Sequence, residues 1–331
     1  MKYLAIKELH EEQNYSISWM CNKLDINRAA YYKWLNRPVP AKEKEDLEIA
    51  EKIKKLHKQY GGILGYRRMT IFLNRKYGTD YKPKRIRRIM GILDIHSSIR
   101  RVRHSCTVTR QKDQKADNLL KRNFEATAPN EKWTTDVSEF KIPGEKGKLY
   151  LSAFLDLYDR SVVAWAISAH NDNNLVFDTF RRAVTANPEA APLFHSDRGF
   201  QYTSPAFRKM LACQGMTQSM SRVACCIDNG PQEAFWGIVK TEMPKLFEYH
   251  NKASLIEAIT KYIDFYNNER YQERYDCKTP IEVRTEALQT EEPKLYPIPI
   301  NRRIENYKQY LADLNASKSP TESSPIGQTL L

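Results

Sequence analysis

The sequence predicts a mixed α/β domain preceded by two small all-helical modules. Apolar residues recur at helical spacing up to about residue 96, and β-rich segments alternate with helical ones from Trp133 onward. Residues 51–125 hold 21 Lys and Arg against 6 Asp and Glu, whereas residues 126–331 hold 24 against 26. A basic segment joined to a nearly neutral remainder is typical of a polyanion-binding module attached to a second domain.

Length and composition exclude several classes of protein. The chain has 331 residues, a net charge of +13 and 41% hydrophobic residues, enough for two or three domains with real cores. The longest uncharged apolar run, near residues 191–194, is far shorter than the roughly 20 residues of a membrane-spanning helix. No secretory leader is expected at Met1, and the six cysteines form no C-x-x-C pair. We therefore expect a cytoplasmic protein with reduced thiols and no membrane partner.

Residues 1–40 are predicted to form three short helices in helix-turn-helix order. Apolar stripes at helical spacing lie on either side of a break at residues 14–16, and Asn27 has the side chain of an N-cap for the third helix. The third helix is expected to direct Tyr31, Trp34 and Leu35 inward and to present Arg28 and Lys33 to DNA. Any small helical bundle gives the same pattern, so this segment alone leaves DNA binding open.

Residues 41–96 are predicted to form a second, more basic helix-turn-helix-like module. Gly61-Gly62 and Gly78 end two amphipathic helices, and Pro83 fits the first turn of a third. The predicted core residues are Ile49, Ile53, Leu56, Tyr60, Met69, Phe72, Leu73, Ile86, Ile89, Met90 and Leu93. We expect no acidic residue near the outward cations, which favours contact with DNA phosphates and grooves. The cations predicted to bind DNA are Arg67, Arg68, Lys84, Arg85, Arg87 and Arg88.

Two segments lack a regular apolar pattern. Residues 97–125 are polar, basic and aperiodic, so we predict a linker that also follows DNA. Residues 291–331 are predicted to form a C-terminal tail with a helix near residues 304–314, followed by a disordered Ser- and Pro-rich end. The catalytic domain is therefore predicted over residues 126–290.

The α/β domain is predicted to contain a mixed sheet. The expected strands are residues 133–140, 149–158, 161–168, 193–195 and 216–220, and the expected helices include residues 173–186, a segment around 207–211, and segments starting near 230 and 255. Asp159-Arg160 fits a tight hairpin turn. The order β-β-β-α-β-α-β-α predicts three antiparallel strands, with the fourth strand returning beside the first.

Three carboxylates occupy positions at which this sheet could bring them together. Asp136 lies inside the first strand, Asp197 directly follows the fourth, and Glu233 lies in the first turn of a late helix, which we expect to direct it inward. Such oxygen ligands suit Mg²⁺, with Mn²⁺ as a substitute, and two ions about 3.5–4 Å apart can support in-line phosphoryl displacement. Asp156 and Asp228 are the competing acids, and any one of the five could be an ordinary structural or surface carboxylate.

The sequences around these carboxylates carry a more specific signal. The relevant segments are Trp133-Thr-Thr-Asp136, His195-Ser-Asp197-Arg-Gly-Phe-Gln-Tyr202, Asp228-Asn-Gly-Pro-Gln-Glu233-Ala-Phe-Trp236, Tyr266-Asn-Asn-Glu-Arg270 and Lys278-Thr-Pro280. Exactly 35 residues separate Asp197 from Glu233, and Lys240 follows Glu233 by seven. In these features, over residues 1–285, the chain resembles the second-frame transposases of the bacterial insertion-sequence-three family, which have a DDE integrase-type core.

The resemblance implies an RNase H-like core that cleaves DNA and transfers strands with the help of Mg²⁺. It implies Asp136, Asp197 and Glu233 as metal ligands, two ions per site, and terminal inverted repeats and target DNA as partners. A homo-oligomer on DNA, an upstream reading frame as fusion or partner, and association with the nucleoid are also expected. Lys240, about 10 Å along the helix from Glu233, is predicted to contact DNA beside the scissile bond, and His195 to be a packed residue.

Two alternatives remain open at this point. A catalytically impaired transposase copy could act only as a DNA-binding protein, since Ala224 stands where the family often has Gly and Cys225 where it often has a polar residue. A related RNase H-like nuclease could cut without joining strands. The intact carboxylate triad argues against the first alternative, and the basic modules with Lys240 argue against the second. The sequence has no His-His-Cys-Cys module, so zinc is not expected.

Overall fold

The computed structural model describes residues 2–38, 40–99, 117–222 and 226–298, together with Gln309. The chain divides into two compact units, Met1–Ser98 and Ile99–Leu331. Residues 100–116 of the predicted linker, the tail helix predicted near residues 304–314, and the predicted disordered end lie outside the described residues.

The first unit is helical. Its helices are α1 (Lys2–Gln13), α2 (Ile17–Lys23), α3 (Arg28–Leu35), α4 (Ala41–Gln59), α5 (Tyr66–Tyr77) and α6 (Pro83–Ile92). Asn27 caps α3 as predicted, because its Oδ1 accepts the backbone N–H groups of Ala29 and Ala30. Tyr31 is buried, but Leu35 is 39% exposed, so its predicted inward position is wrong. Leu35 is the last residue of α3, beyond the turn that packs on α1 and α2.

The core predicted for α4, α5 and α6 is confirmed except at one position. Ten of the eleven predicted core side chains of this module are buried, whereas Leu93, which follows the last residue of α6, is only half-buried. The helix ends also follow the predicted signals: Gly78 ends α5 with a φ of +61°, a left-handed conformation that favours glycine, and Pro83 is in the first turn of α6. Helix α6 packs on both α5 and α4, so its two flanks face different neighbours.

The second unit is built on a five-stranded sheet. Its elements are β1 (Lys132–Lys141), β2 (Lys148–Asp156), β3 (Val162–Ser168), α7 (Asn173–Ala186), β4 (Leu193–Ser196), α8 (Phe200–Thr203), α9 (Pro205–Cys213), β5 (Thr217–Met220), α10 (Gly230–Leu246), α11 (Lys252–Asn268) and α12 (Pro280–Leu288). The strand order is β3-β2-β1-β4-β5, with β1 antiparallel to β2 and parallel to β4. The prediction that the first and fourth strands are neighbours is therefore confirmed.

Aromatic side chains fill the core of this unit. Trp133, Phe154 and Phe194 from three adjacent strands are completely buried, and Phe207 of α9 is buried with them. The rings of Phe154 and Phe194 meet edge to face, with their centroids 4.9 Å apart. These contacts pack one face of the sheet against α9.

Residues 117–125 pack against the second unit and are not a free linker. Leu120 is 1% exposed, and the backbone N–H groups of Leu119 and Leu120 donate to Ser219 Oγ at 3.0 and 3.1 Å. The prediction of a linker over residues 97–125 is therefore wrong for this part. Buried contacts of Leu120 and satisfied backbone groups outweigh the polar, basic composition of the segment.

Candidate active site

Asp136 and Asp197 are brought together by the parallel pairing of β1 and β4. In this pairing Thr134 lies opposite His195. Asp136 and Asp197 are each two residues further along, so both carboxylates lie just beyond the paired section, at the same level of neighbouring strands. The prediction that the two aspartates occupy adjacent strand positions is confirmed, and it follows from strand order alone.

The two aspartates share a poorly solvated environment. Burial raises the pKa of Asp136 to about 7, and the negative charges of Asp197 and, more weakly, Glu233 contribute to the rise. Burial also raises the pKa of Asp197. Within the described chain neither aspartate forms an ion pair with a lysine or arginine. Buried charges are normally paired or bound to a metal, so this pair of carboxylates would be stabilised by a cation.

Short backbone hydrogen bonds orient the two carboxylates. The N–H of Val137 donates to Asp136 Oδ1 at 2.8 Å, and the N–H of Gly199 donates to Asp197 Oδ1 at 2.9 Å. A Cβ atom at Gly199 would lie only 3.0 Å from Asp197 Oδ1 and 2.9 Å from Gln201 Oε1. Glycine at position 199 therefore lets this backbone approach the carboxylate without displacing the ends of either side chain.

Two amide side chains attach the start of α10 to the sheet. Asn229 donates from Nδ2 to the backbone oxygen of Thr135 at 3.0 Å. Gln232 accepts the hydroxyl of Thr134 at 3.3 Å and donates to the backbone oxygen of Ala153 at 3.3 Å. Sequence reasoning gave no role to either amide. The available signal was their position around Pro231, at the start of the helix that carries Glu233.

A third contact of α10 reaches Asp136 itself. The indole Nε1–H of Trp236 donates to Asp136 Oδ2 at 3.1 Å. Sequence reasoning also assigned no role to Trp236, although the residue belongs to the motif that contains Glu233. Both oxygens of the Asp136 carboxylate therefore accept a hydrogen bond, one from its own strand and one from α10.

Glu233 lies in the first turn of α10 as predicted, but its side chain is exposed. The expectation that it is directed inward is wrong, because Gln232, Phe235 and Trp236 form the buried face of the helix and place Glu233 on its outer side. In the described ranges, no three His, Cys, Asp or Glu side chains are grouped closely enough to hold a metal ion. The structure thus brings Asp136 and Asp197 together, and Glu233 is an exposed residue whose charge acts on Asp136.

The donor set nevertheless fits a divalent cation. Asp136 and Asp197 are desolvated carboxylates in the same electrostatic environment, and Glu233 lies close enough for its charge to affect the pKa of Asp136. Hard cations such as Mg²⁺ prefer carboxylate oxygens and retain several water molecules, so two protein carboxylates with a third nearby form a suitable site. Asp136, Asp197 and Glu233 are therefore the residues that could hold the ion.

Lys240 lies further along α10, near the distal end of β1. Its side chain is exposed, and its Nζ lies 5.7 Å from the ring centroid of Phe140. Phe140 is four residues beyond Asp136 on β1, so Lys240 and Asp136 lie beside the same strand. Its predicted contact with DNA remains a prediction.

His195 and Asp156 are structural residues. His195 is fully buried between Ser219 and Ser221, whose hydroxyls lie 2.9 Å from Nδ1 and 3.1 Å from Nε2, and burial lowers its pKa to about 4. It is therefore a neutral packed residue, as predicted. Asp156 is fully buried and pairs with Arg284 at 3.0 Å, so it does not compete for a role in the site.

Asp228 connects three segments around the start of α10. It is fully buried and accepts Arg122 Nε at 2.7 Å, Arg222 Nε at 2.8 Å and Asn118 Nδ2 at 2.8 Å. Hydrogen bonds from the Arg222 side chain are the largest cause that lowers the pKa of Asp228 below its usual range. Asp228 thus holds residues 117–125 against the turn before α10, so it does not compete for a role in the site.

The cations of α6 divide into two groups. Arg85 pairs with Glu45 and Asp46 of α4 at 2.8 Å, and Arg88 also pairs with Asp46. The expectation that no acidic residue lies near these cations is wrong, because α4 carries two acids on the flank that faces α6. Lys84 and Arg87 are exposed.

Tyr66 of α5 contacts one arginine of its own helix and one of α6. Arg67 Nε donates to the hydroxyl of Tyr66 at 3.2 Å, and the guanidinium carbon of Arg87 lies 5.6 Å from the Tyr66 ring centroid. Arg67 is exposed, whereas Arg68 is half-buried and does not face outward as expected. The other cations predicted to bind DNA, Arg28 and Lys33, are exposed on α3.

Two further predictions concern Ala224 and Cys225 and the absence of membrane-spanning helices. Ala224 and Cys225, on which the alternative of an impaired copy depends, lie outside the described residues. In the portions of the chain that the structure describes, no helix has both the length and the apolar character needed to cross a membrane.

Three family models match the chain. Residues 126–226 match a model described as "Integrase core domain", residues 233–288 match a second model with the same description, and residues 44–103 match an "HTH-like domain". Together with the sheet order, these matches confirm the predicted fold class, an RNase H-like integrase-type core preceded by a helical, HTH-like region.

The chain is also similar to named transposases. It is 35% identical to the putative transposase InsK for insertion sequence element IS150 of Escherichia coli (strain K12), over 85% of this chain and 98% of that protein. It is 31% identical to the transposase for insertion sequence element IS904 of Lactococcus lactis subsp. lactis (strain IL1403), over 73% and 95%. Among solved structures, the HTLV-2 integrase catalytic core domain in complex with magnesium (trimeric form) aligns with a TM-score of 0.38 and 20% identity, over 47% of this chain and 96% of that chain.

Proposed function

Because this chain belongs to the bacterial insertion-sequence transposases with an integrase core, we propose that it cleaves DNA at the ends of an insertion sequence and joins those ends to target DNA. The observation that carries the proposal is the placement of Asp136 on β1 and Asp197 directly after the neighbouring parallel strand β4, with Glu233 at the start of α10. The reaction is a polynucleotidyl transfer, and its proposed cofactor is a divalent metal.

Asp136, Asp197 and Glu233 would hold Mg²⁺, and Mn²⁺ could replace it, with two ions per site. Bound there, the metal would supply charge neutralisation and activation of the attacking oxygen. The chain itself orients the two aspartates through Val137 and Gly199 and presents Glu233 from the first turn of α10. No side chain acts as nucleophile: water frees a 3′-hydroxyl at the element end, and that hydroxyl attacks a second phosphodiester in line.

DNA would be bound by exposed cations in both units. In the first unit these cations are Arg28, Lys33, Arg67, Lys84 and Arg87, and in the second unit Lys240 would contact the backbone beside the scissile bond. Arg85 and Arg88 are engaged with α4 and would support the shape of the module. The expected partners are the terminal inverted repeats and target DNA of the bacterial nucleoid, other copies of this chain bound to the same DNA, and the product of an upstream reading frame.

The test uses full-length protein, Mg²⁺ and a labelled DNA end, with the variants D136N, D197N and E233Q. Each variant should lose nicking and joining by about a thousandfold or more, while DNA-end affinity changes less than about threefold, because the carboxylates serve chemistry and not end recognition. D178N, at an exposed ion pair on α7, is the matched control and should behave like the wild type.

The wild-type result separates the alternatives. Nicking followed by joining supports the transposase mechanism. Nicking without joining would indicate a nuclease, and binding without nicking would indicate an impaired copy. Full activity in any one of the three carboxylate variants would remove that residue from the proposed metal site.

A further inference from the structure

Trp236 occupies a position from which it can affect two of the three proposed metal ligands. It lies three residues after Glu233 in α10, and side chains three residues apart are neighbours on a helix surface. The Trp236 side chain is turned to the sheet and the residue is only 6% exposed, whereas Glu233 is on the exposed side. The same short stretch of helix therefore presents one group to Asp136 and another to solvent.

The contact with Asp136 is a directional hydrogen bond. Trp236 Nε1 lies 3.1 Å from Asp136 Oδ2, and an indole N–H can only donate. The other carboxylate oxygen, Oδ1, accepts the N–H of Val137 at 2.8 Å. An ionised carboxylate offers about four acceptor positions, so these two bonds fix its plane and leave about two positions for a cation.

The aromatic surroundings keep the indole in place. The Trp236 ring packs on Phe235, with centroids 4.9 Å apart, and Phe235 meets Tyr266 of α11 edge to face at 5.0 Å. Asn229 and Gln232 attach the preceding turn of α10 to β1 and β2. The indole that donates to Asp136 is thus held by ring packing, and its helix is held by hydrogen bonds to the sheet.

We infer that Trp236 is a positioning residue that orients the Asp136 carboxylate for metal binding and couples it to the helix that carries Glu233. The inference rests on the proposed function, because it concerns the same metal site. The indole holds Oδ2 on the α10 side, while the N–H of Val137 holds Oδ1 on the strand side, so the carboxylate plane is fixed by one bond from each element.

The chain contains a matched control for this hydrogen bond. Trp133 Nε1 donates to Asp156 Oδ2 at 3.2 Å, and Trp133 is completely buried. Asp156 pairs with Arg284 and is not part of the site. W133F and W236F therefore each remove one indole–carboxylate hydrogen bond from the same unit, but only W236F removes it from a proposed metal ligand.

The decisive experiment measures Mn²⁺ binding to the full chain by electron paramagnetic resonance, with thermal unfolding and DNA nicking in parallel. W236F should weaken Mn²⁺ binding by about 10–100-fold, the usual cost of losing a group that orients a metal ligand. W133F should bind Mn²⁺ like the wild type even if its unfolding temperature falls further. An unchanged Mn²⁺ affinity in W236F, or an equal loss in W133F, would overturn the inference.

Two additional readings keep the result interpretable. If wild-type protein bound Mn²⁺ no better than D136N, the proposed metal site itself would fail, independently of Trp236. If W236F did not fold, the inference would be tested on the wild type through the indole ¹⁵N–H resonance of Trp236. The chain has five tryptophans, so their indole resonances can be assigned individually. That resonance should shift on addition of Mg²⁺ and the Trp133 resonance should not; the absence of a shift at Trp236 would contradict the inference.

Discussion

Gly199 and Asp228 show how single residues hold the site without taking part in its chemistry. Gly199 brings a backbone N–H to the Asp197 carboxylate, and Asp228 connects Arg122 and Arg222 in front of α10. Both residues lie within segments that the sequence singled out, yet their roles depend on distances that a sequence does not give. Each role leads to a prediction for one substitution.

G199A should reduce DNA cleavage by at least about tenfold and leave DNA-end binding unchanged. The added Cβ would lie 3.0 Å from Asp197 Oδ1, so the carboxylate or the backbone must move. Single-turnover cleavage with saturating DNA measures the effect. G237A is the control, since no atom lies within 4 Å of a Cβ at Gly237. Wild-type cleavage by G199A would show that the close approach at this glycine is unimportant.

D228N should destabilise the second unit by about 1–3 kcal/mol at pH 7, because several charge-assisted hydrogen bonds to a buried carboxylate are lost. The folded pKa of Asp228 is lowered, so its stabilisation is complete above the unfolded pKa of about 3.9 and is lost as the pH falls through the folded value. The stability difference between wild type and D228N should therefore be constant from pH 7 to 5 and shrink below about pH 4. Urea unfolding at each pH measures it, and a difference that grows on acidification would refute this role.

The residue scale also shows the limits of sequence reasoning. Asp136 and Asp197 could be placed side by side because strand order determines which strands are neighbours. The orientation of Glu233 depended on the apolar phase of α10, in which Phe235 and Trp236 take the buried face and Glu233 the exposed one. The roles of Asn229 and Gln232 could not be predicted, because an amide reveals its partner only once the helix is docked.

Helix α6 shows that cations of one element can have different functions. Its core face, Ile86, Ile89 and Met90, follows directly from the helical period. The partners of Arg85 and Arg88 do not, because Glu45 and Asp46 lie about 40 residues earlier in the chain and meet α6 only after folding. One flank of α6 is therefore fixed to α4, while Lys84 and Arg87 are exposed.

R87A and R88A should separate these two functions. R87A should weaken binding of the DNA end and reduce the slope of log affinity against log salt by about one, as expected for a lost phosphate contact. R88A should keep the slope and lower the thermal stability of the first unit, because Asp46 loses one of its two partners. Fluorescence anisotropy at several salt concentrations and thermal unfolding measure both effects, and an exchange of the two phenotypes would contradict the assignment.

At the scale of the whole molecule, the fold class follows from the order of the elements. Three successive strands followed by alternating helices and strands permit few arrangements, and the observed order β3-β2-β1-β4-β5 has the expected antiparallel trio with the fourth strand beside the first. The segment at residues 117–125 was misjudged because its polar composition hides the single buried side chain, Leu120, and the hydrogen bonds around it. Composition indicated the two-part organisation, but local packing decides where the second unit begins.

The central claim is a direct transfer between DNA strands at one carboxylate centre, with no covalent protein–DNA intermediate. The most direct test is the configuration at phosphorus when wild-type protein joins a DNA end to a target that carries a chiral phosphorothioate at the attacked position. One in-line attack by the 3′-hydroxyl predicts inversion, with no DNA linked to protein and no product from E233Q. Retention of configuration, or a stable protein–DNA adduct, would contradict the account.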